Sequence, residues 1–140
     1  MSIGDRLEAV RGERFSGRLI DYASKNDAIV APEFIFPLGD ELKPDYVGGP
    51  KESLAAIAAK NQEHPAQTFI RMSCDTDGRA LFTLRALNRN LEALSKAISA
   101  DFCLPGLGDA GAHVSQIMDS GWTTFSISHW HRDAKVLSLE

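Results

Sequence analysis

Asp109 and His113 lie four residues apart in Leu104-Pro105-Gly106-Leu107-Gly108-Asp109-Ala110-Gly111-Ala112-His113, with glycines on both sides of the acid. A carboxylate and an imidazole on such a turn are suited to moving a proton at a substrate. A strand over Phe102-Cys103-Leu104 that stops at Pro105-Gly106 leaves Asp109 on the strand-to-helix turn, where α/β folds carry their chemistry. A structural role fits the same spacing, with Asp109 capping a helix that starts near Ala112 and His113 donating into the fold. His129-Trp130-His131 is a formal His-x-His triplet. On a strand its imidazoles would share a face, but on the helix expected there residues two apart diverge, which argues against a metal pair. Trp130 then reads as a packing residue and Arg132 as a surface or ion-pairing one. Cys74 and Cys103 lack metal-type spacing, and Cys103 in an apolar strand reads as inert core.

The elements that must position these residues follow from periodicity and caps. Ser2 with Asp5 resembles a capping box and opens a short helix that Gly12 interrupts. Phe15, Leu19 and Tyr22 recur at helical spacing, so residues 13–25 form an amphipathic helix whose apolar stripe needs covering. Glu33-Phe34-Ile35-Phe36 reads as a buried strand suited to a parallel sheet, ended by Pro37 and Gly39. From Gly39 to Pro50 the chain is an aperiodic connection of about a dozen residues, with Asp40, Glu41 and Asp45 as a solvated acidic loop. Pro50 opens a helix to about Lys60, and His64-Pro65 starts another through Phe69 and Met72. Asp75-Thr76-Asp77-Gly78 is a turn, Ala80-Leu81-Phe82-Thr83-Leu84 a second strand, and Phe102-Cys103-Leu104 a third. Asn90 caps a helix with Leu91, Leu94 and Ile98 on one face. Strands alternating with helices predict an α/β fold of consecutive parallel β/α units, in a single domain over 1–140.

Size and charge narrow the classes further. The 140 residues are 44% hydrophobic with a formal net charge of −4, enough to bury one core. Scattered lysines and arginines leave no basic footprint for nucleic acid or an anionic membrane, so neither is expected as a partner. No apolar run approaches the roughly 20 residues that cross a bilayer. The first residues lack signal-peptide character and the cysteines are sparse, so a cytoplasmic location is expected.

Together with Asp109 and His113, the segments Thr123-Thr124-Phe125 and Ser128-His129-Trp130-His131-Arg132-Asp133 form a pattern that resembles the N-acyl-D-amino-acid deacylase (D-aminoacylase) branch of the amidohydrolase superfamily. Phe34-Ile35-Phe36-Pro37-Leu38-Gly39, Asp45-Tyr46, Ser53-Leu54-Ala55-Ala56-Ile57-Ala58 and His64-Pro65-Ala66 look like further landmarks of these proteins. The resemblance spans nearly the whole chain. It implies the later part of a (β/α)8 barrel, incomplete here because a full barrel takes about 250 residues. It also implies hydrolysis of a non-peptide carbon-nitrogen bond, such as the amide of an N-acyl-D-amino acid. Asp109 would be the catalytic base at a zinc-activated water, and a zinc ligand itself, while His113 would bind the substrate carboxylate or polarise an oxygen.

Two departures stand out: Gly108 replaces the serine common before the aspartate, and Thr83-Leu84-Arg85-Ala86-Leu87-Asn88 follows the pattern only loosely. The family's other metal ligands come from earlier barrel strands that this chain lacks. An isolated chain is therefore expected to be inactive. The alternative is a binding or structural module derived from such a barrel, forming a homo-oligomer that hides apolar edges.

Overall fold

The computed structural model describes residues 2–40, 43–85, 87, 89–104, 106 and 121–139. The chain divides into two compact units, Met1–Arg89 and Asn90–Glu140. Asp109, His113 and the glycine-rich run around them lie outside the described residues.

The first unit begins with two helices, α1 (Ile3–Arg11) and α2 (Glu13–Lys25), separated by Gly12. The Ser2 and Asp5 side chains and backbones satisfy one another in a capping box, as the sequence indicates. On α2 the outcome departs from the periodicity. Phe15, Leu19 and Tyr22 remain 45%, 39% and 67% exposed. The half-buried positions are Ser16, Ile20 and Ala23, the neighbouring row, on a helix that packs against α1 and α4.

Pro32–Phe34 forms a single 3-10 turn that leads into β1 (Ile35–Pro37), and the chain returns in a short hairpin of β2 (Gly39–Asp40) and β3 (Lys43–Pro44). The expected loop therefore contains its own antiparallel pairing. A second 3-10 turn at Pro50–Glu52 precedes α3 (Leu54–Asn61), capped by the Ser53 hydroxyl that accepts from the Ala56 N–H. Gln62 adopts the left-handed conformation at φ 56°, which ends α3 and turns the chain toward α4 (Pro65–Asp75). His64 starts α4 as expected, its Nδ1 accepting from the Ala66 N–H at 3.2 Å. The unit closes with β4 (Phe82–Leu84).

β1 and β4 pair antiparallel, with Phe36 opposite Thr83, flanked by Ile35 opposite Leu84 and Pro37 opposite Phe82. This corrects the expectation of parallel pairing for these strands, and the reason is the parity of the connection. One helix between two strands returns the chain to its starting direction, giving a parallel pair. Here α3 and α4 pack on one another across a three-residue link, so the chain reverses once more before it re-enters the sheet. The class is mixed α/β, and its described sheets are two-stranded and antiparallel. Phe36, Leu54 and Ala58 make the apolar core of this unit among the described residues, with Ser53 and Thr68 buried beside them.

In the second unit, α5 (Leu91–Ile98) carries the expected cap: Asn90 Oδ1 accepts from the Ala93 N–H at 3.1 Å. Phe102-Cys103-Leu104, expected as a third strand, is a turn followed by irregular chain. A last helix comprises α6 (Trp122–Phe125) and a continuous π-helical stretch over Ser126–Asp133. No helix among the described residues is long and apolar enough to cross a membrane.

Candidate functional site

Ser128 to Asp133 is the part of the expected site that falls within described structure. The π-helical winding closes i to i+5 hydrogen bonds, seen at its end where the Ala134 N–H donates to the His129 carbonyl at 2.8 Å. That winding gathers one aromatic cluster around Phe125. The His129 ring stacks on Phe125 at 4.8 Å between centroids, and Trp130 meets Phe125 edge-on at 5.9 Å and His129 at 4.5 Å. Trp130 is 6% exposed, which makes it the apolar anchor of this unit among the described residues. Its backbone carbonyl also accepts from Val136 and Leu137, tying the following segment onto the helix.

His131 takes a different course. Its Nδ1 lies 2.8 Å from the Leu137 carbonyl oxygen. A carbonyl only accepts, so Nδ1 is the donor in this contact. His129 faces Phe125 while His131 faces the C-terminal segment, so the pair does not converge on a common point. Arg132 and Asp133 form a forked ion pair at 2.7 and 3.0 Å. The Arg132 guanidinium, helped by His129, holds the Asp133 carboxyl below its ordinary range. Both side chains are more than half exposed, so the pair adds little to stability.

Zinc is the metal the family resemblance implies. Among the described residues no three histidine, cysteine, aspartate or glutamate side chains cluster to hold a metal. His129 and His131 diverge, and Asp40 and Asp45 lie at the ends of the β2–β3 ribbon, where the Asp45 carboxylate accepts from the Val47 N–H in a local turn. The described residues do not fit a zinc centre.

No protein-family model, curated protein or solved structure matches the chain.

Two charged clusters in the first unit carry no sequence signature. Glu63 follows the Gln62 reversal and accepts from Thr68 Oγ1 at 2.7 Å and from Arg71 Nε and NH2 at 2.9 and 3.0 Å. Hydrogen bonds from Arg71 first, and Thr68 second, hold its carboxyl below the ordinary glutamate range. The group ties the α3–α4 link to the first turns of α4. The Arg85 guanidinium lies 3.9 Å over the Phe36 ring and donates to the Tyr46 carbonyl at 3.2 Å, clamping the end of β4 to the loop before α3. Desolvation there lowers the Arg85 pKa, opposed by Asp45 and Glu52. The Arg85 cluster joins residues that meet only after the chain has folded back, whereas the Glu63 group is local to the start of α4.

The Glu63 geometry sets a pH dependence. A carboxyl whose folded pKa is depressed adds stability above its unfolded value, and that stability is lost as pH falls through the lower folded value. Thermal melts from about pH 6 down to about pH 2 should show Glu63→Gln losing part of the acid-range slope of the wild-type protein, with the two curves parallel above pH 6. Identical slopes throughout would mean that Glu63 is not coupled to folding.

Proposed function

We propose that this chain is an amidohydrolase-like segment that works as a self-associating module and does not catalyse hydrolysis as a lone chain. Its ancestry would be the late β/α units of a (β/α)8 barrel acting on amides such as those of N-acyl-D-amino acids. The support for that ancestry is the Asp109…His113 loop followed by the Thr123-to-Asp133 segment. The antiparallel pairing of β1 with β4 separates the chain from an intact barrel.

The observation that carries the association is the exposed stripe of Phe15, Leu19 and Tyr22 on α2. Its occupant is a second copy of the same stripe, because the order of residues along α2 reads well against its own reverse. In an antiparallel pairing centred near Leu19, Phe15 of one copy comes within one residue of facing Tyr22 of the other, and Arg18 within one residue of facing Asp21. Asp21 already holds Lys25 at 2.7 Å, so it would be shared between two cations. The like charges of Arg14 and Lys25 fall at the outer ends, where water and salt screen them.

Sedimentation velocity across a concentration series tests this reading. Wild-type protein is expected to dimerise, and Leu19→Asp to remain monomeric, because it places two carboxylates on the symmetry axis. Wild-type protein that stays monomeric at every concentration overturns the association. Supplied with zinc and N-acetyl-D-amino acids, the lone chain is expected to show no turnover. Turnover that disappears in Asp109→Asn would overturn the non-catalytic reading.

A further inference from the structure

Between α4 and β4 the chain reverses through Thr76-Asp77-Gly78, the single Asp-Gly step in the sequence, and the sequence has no Asn-Gly step. Asp77 and Gly78 both adopt left-handed backbone conformations, at φ 51° and 77°. A side chain at Gly78 would meet Ile3 and Leu7 of α1 at 3.1 to 3.3 Å, so the turn and α1 are in close contact. The Asp77 side chain is 72% exposed.

We propose that Asp77-Gly78 is a latent site of spontaneous isoaspartate formation, held closed by α1 through Arg11. Glycine leaves the following amide nitrogen sterically open to the aspartate carboxyl carbon. In the reaction, the Gly78 nitrogen bonds to Asp77 Cγ in its un-ionised carboxyl form, and one carboxyl oxygen leaves as water with the carboxyl proton and the Gly78 amide proton, closing a five-membered imide. Water then adds to either imide carbonyl and opens the ring, giving back aspartate or giving isoaspartate. No oxidant or other reactant enters, and the mass after hydrolysis is unchanged.

Two contacts oppose the first step. Arg11 NH2 holds Asp77 Oδ1 at 2.6 Å and the Cys74 carbonyl at 3.2 Å, which fixes the carboxylate on the α1 side of the turn. The Gly78 N–H is engaged with the Ser73 carbonyl at 2.7 Å, so the nucleophile is also occupied. The gate depends on α1 staying in place, and α1 buries none of its residues fully. Elements with so little burial open readily while the rest of a unit stays folded. The change is also self-reinforcing: isoaspartate adds a methylene to the backbone and moves the carboxylate, breaking the turn that receives Arg11. The site would therefore act as a long-lived record of α1 detachment.

The test is the rate of isoaspartate formation at residue 77, read by peptide mapping of the full chain incubated at neutral pH, with circular dichroism confirming the fold. Urea-unfolded wild-type protein sets the ungated rate. Folded wild-type protein is expected to be slowest, with Arg11→Ala about three-fold faster or more once the ion pair is lost. Ile3→Ala loosens α1 over Gly78 without touching the ion pair, and should also accelerate the reaction. Asp77→Glu should abolish the signal, because the longer side chain does not close the five-membered ring. Folded wild-type protein reacting as fast as the unfolded chain would overturn the proposal. So would equal rates for wild type, Arg11→Ala and Ile3→Ala.

Discussion

Trp130→Ala is expected to melt the C-terminal helix. Trp130 is 6% exposed, packs edge-on to Phe125 and His129, and is the buried apolar side chain of its unit among the described residues. Replacing a buried tryptophan with alanine removes its transfer free energy and leaves a cavity, a loss of about 3 to 5 kcal/mol. That is a large share of the roughly 5 to 15 kcal/mol by which domains are stable. The loss is compounded because the Trp130 carbonyl receives Val136 and Leu137, contacts that persist only while the helix stands. Trp122, 37% exposed, remains as the reporter. Its emission should shift to the red and the near-ultraviolet dichroism should collapse, while Trp130→Phe retains most of both. An unchanged Trp122 spectrum in Trp130→Ala would show that this unit is held together by something other than the aromatic cluster.

Leu54→Ala carries the second large effect. Leu54 is the first residue of α3, is 3% exposed, and belongs to a helix that packs on β1, α4 and the 3-10 turn at Pro32–Phe34. The described apolar core of the first unit consists of Phe36, Leu54 and Ala58, so there is little other burial to compensate. Truncation should cost about 2 to 4 kcal/mol. For a unit of this size each kcal/mol moves the melting temperature by about 4 to 8 °C, so the transition should fall by about 8 to 32 °C. Leu54→Met, which keeps the volume, should stay within about 1.5 kcal/mol of wild type. A small shift for Leu54→Ala would mean that the cavity collapses and that α3 is not the keystone of this unit. The thermal transition monitored at the α-helical dichroism band measures both variants.

The same geometry shows how far the linear chain could be read. The Ser2–Asp5 box, the Asn90 cap, the His64-Pro65 start and the helices they open are all present where their spacing placed them. Each depends on groups within one helical turn, so no distant contact is needed to form it. Trp130 in packing and Arg132 in an ion pair are likewise as expected. The antiparallel direction of the β1–β4 pairing has a signal in the sequence that the alternation of strands and helices hides. Two helices were legible between the strands, and an even number of helical reversals brings a strand back antiparallel. The third strand failed because a three-residue apolar run has no identity until another strand pairs with it. On α2 the periodicity showed an amphipathic helix but not which row would be covered; Ser16, Ile20 and Ala23 take the inner position although Phe15, Leu19 and Tyr22 are the more apolar row.

The expected reactive pair, Asp109 and His113, lies outside the described residues, so its chemistry is known only as sequence. By itself the sequence determined the helix starts, the turn residues and the absence of a long apolar span, because these depend on neighbours in the chain and on composition. Only the tertiary structure decided which row of α2 is covered, the Arg85–Phe36 contact, and the hold of Arg11 of α1 on the Asp77-Gly78 turn. Each of these joins residues by the path of the folded backbone, and that path is set by the balance of all packing contacts together.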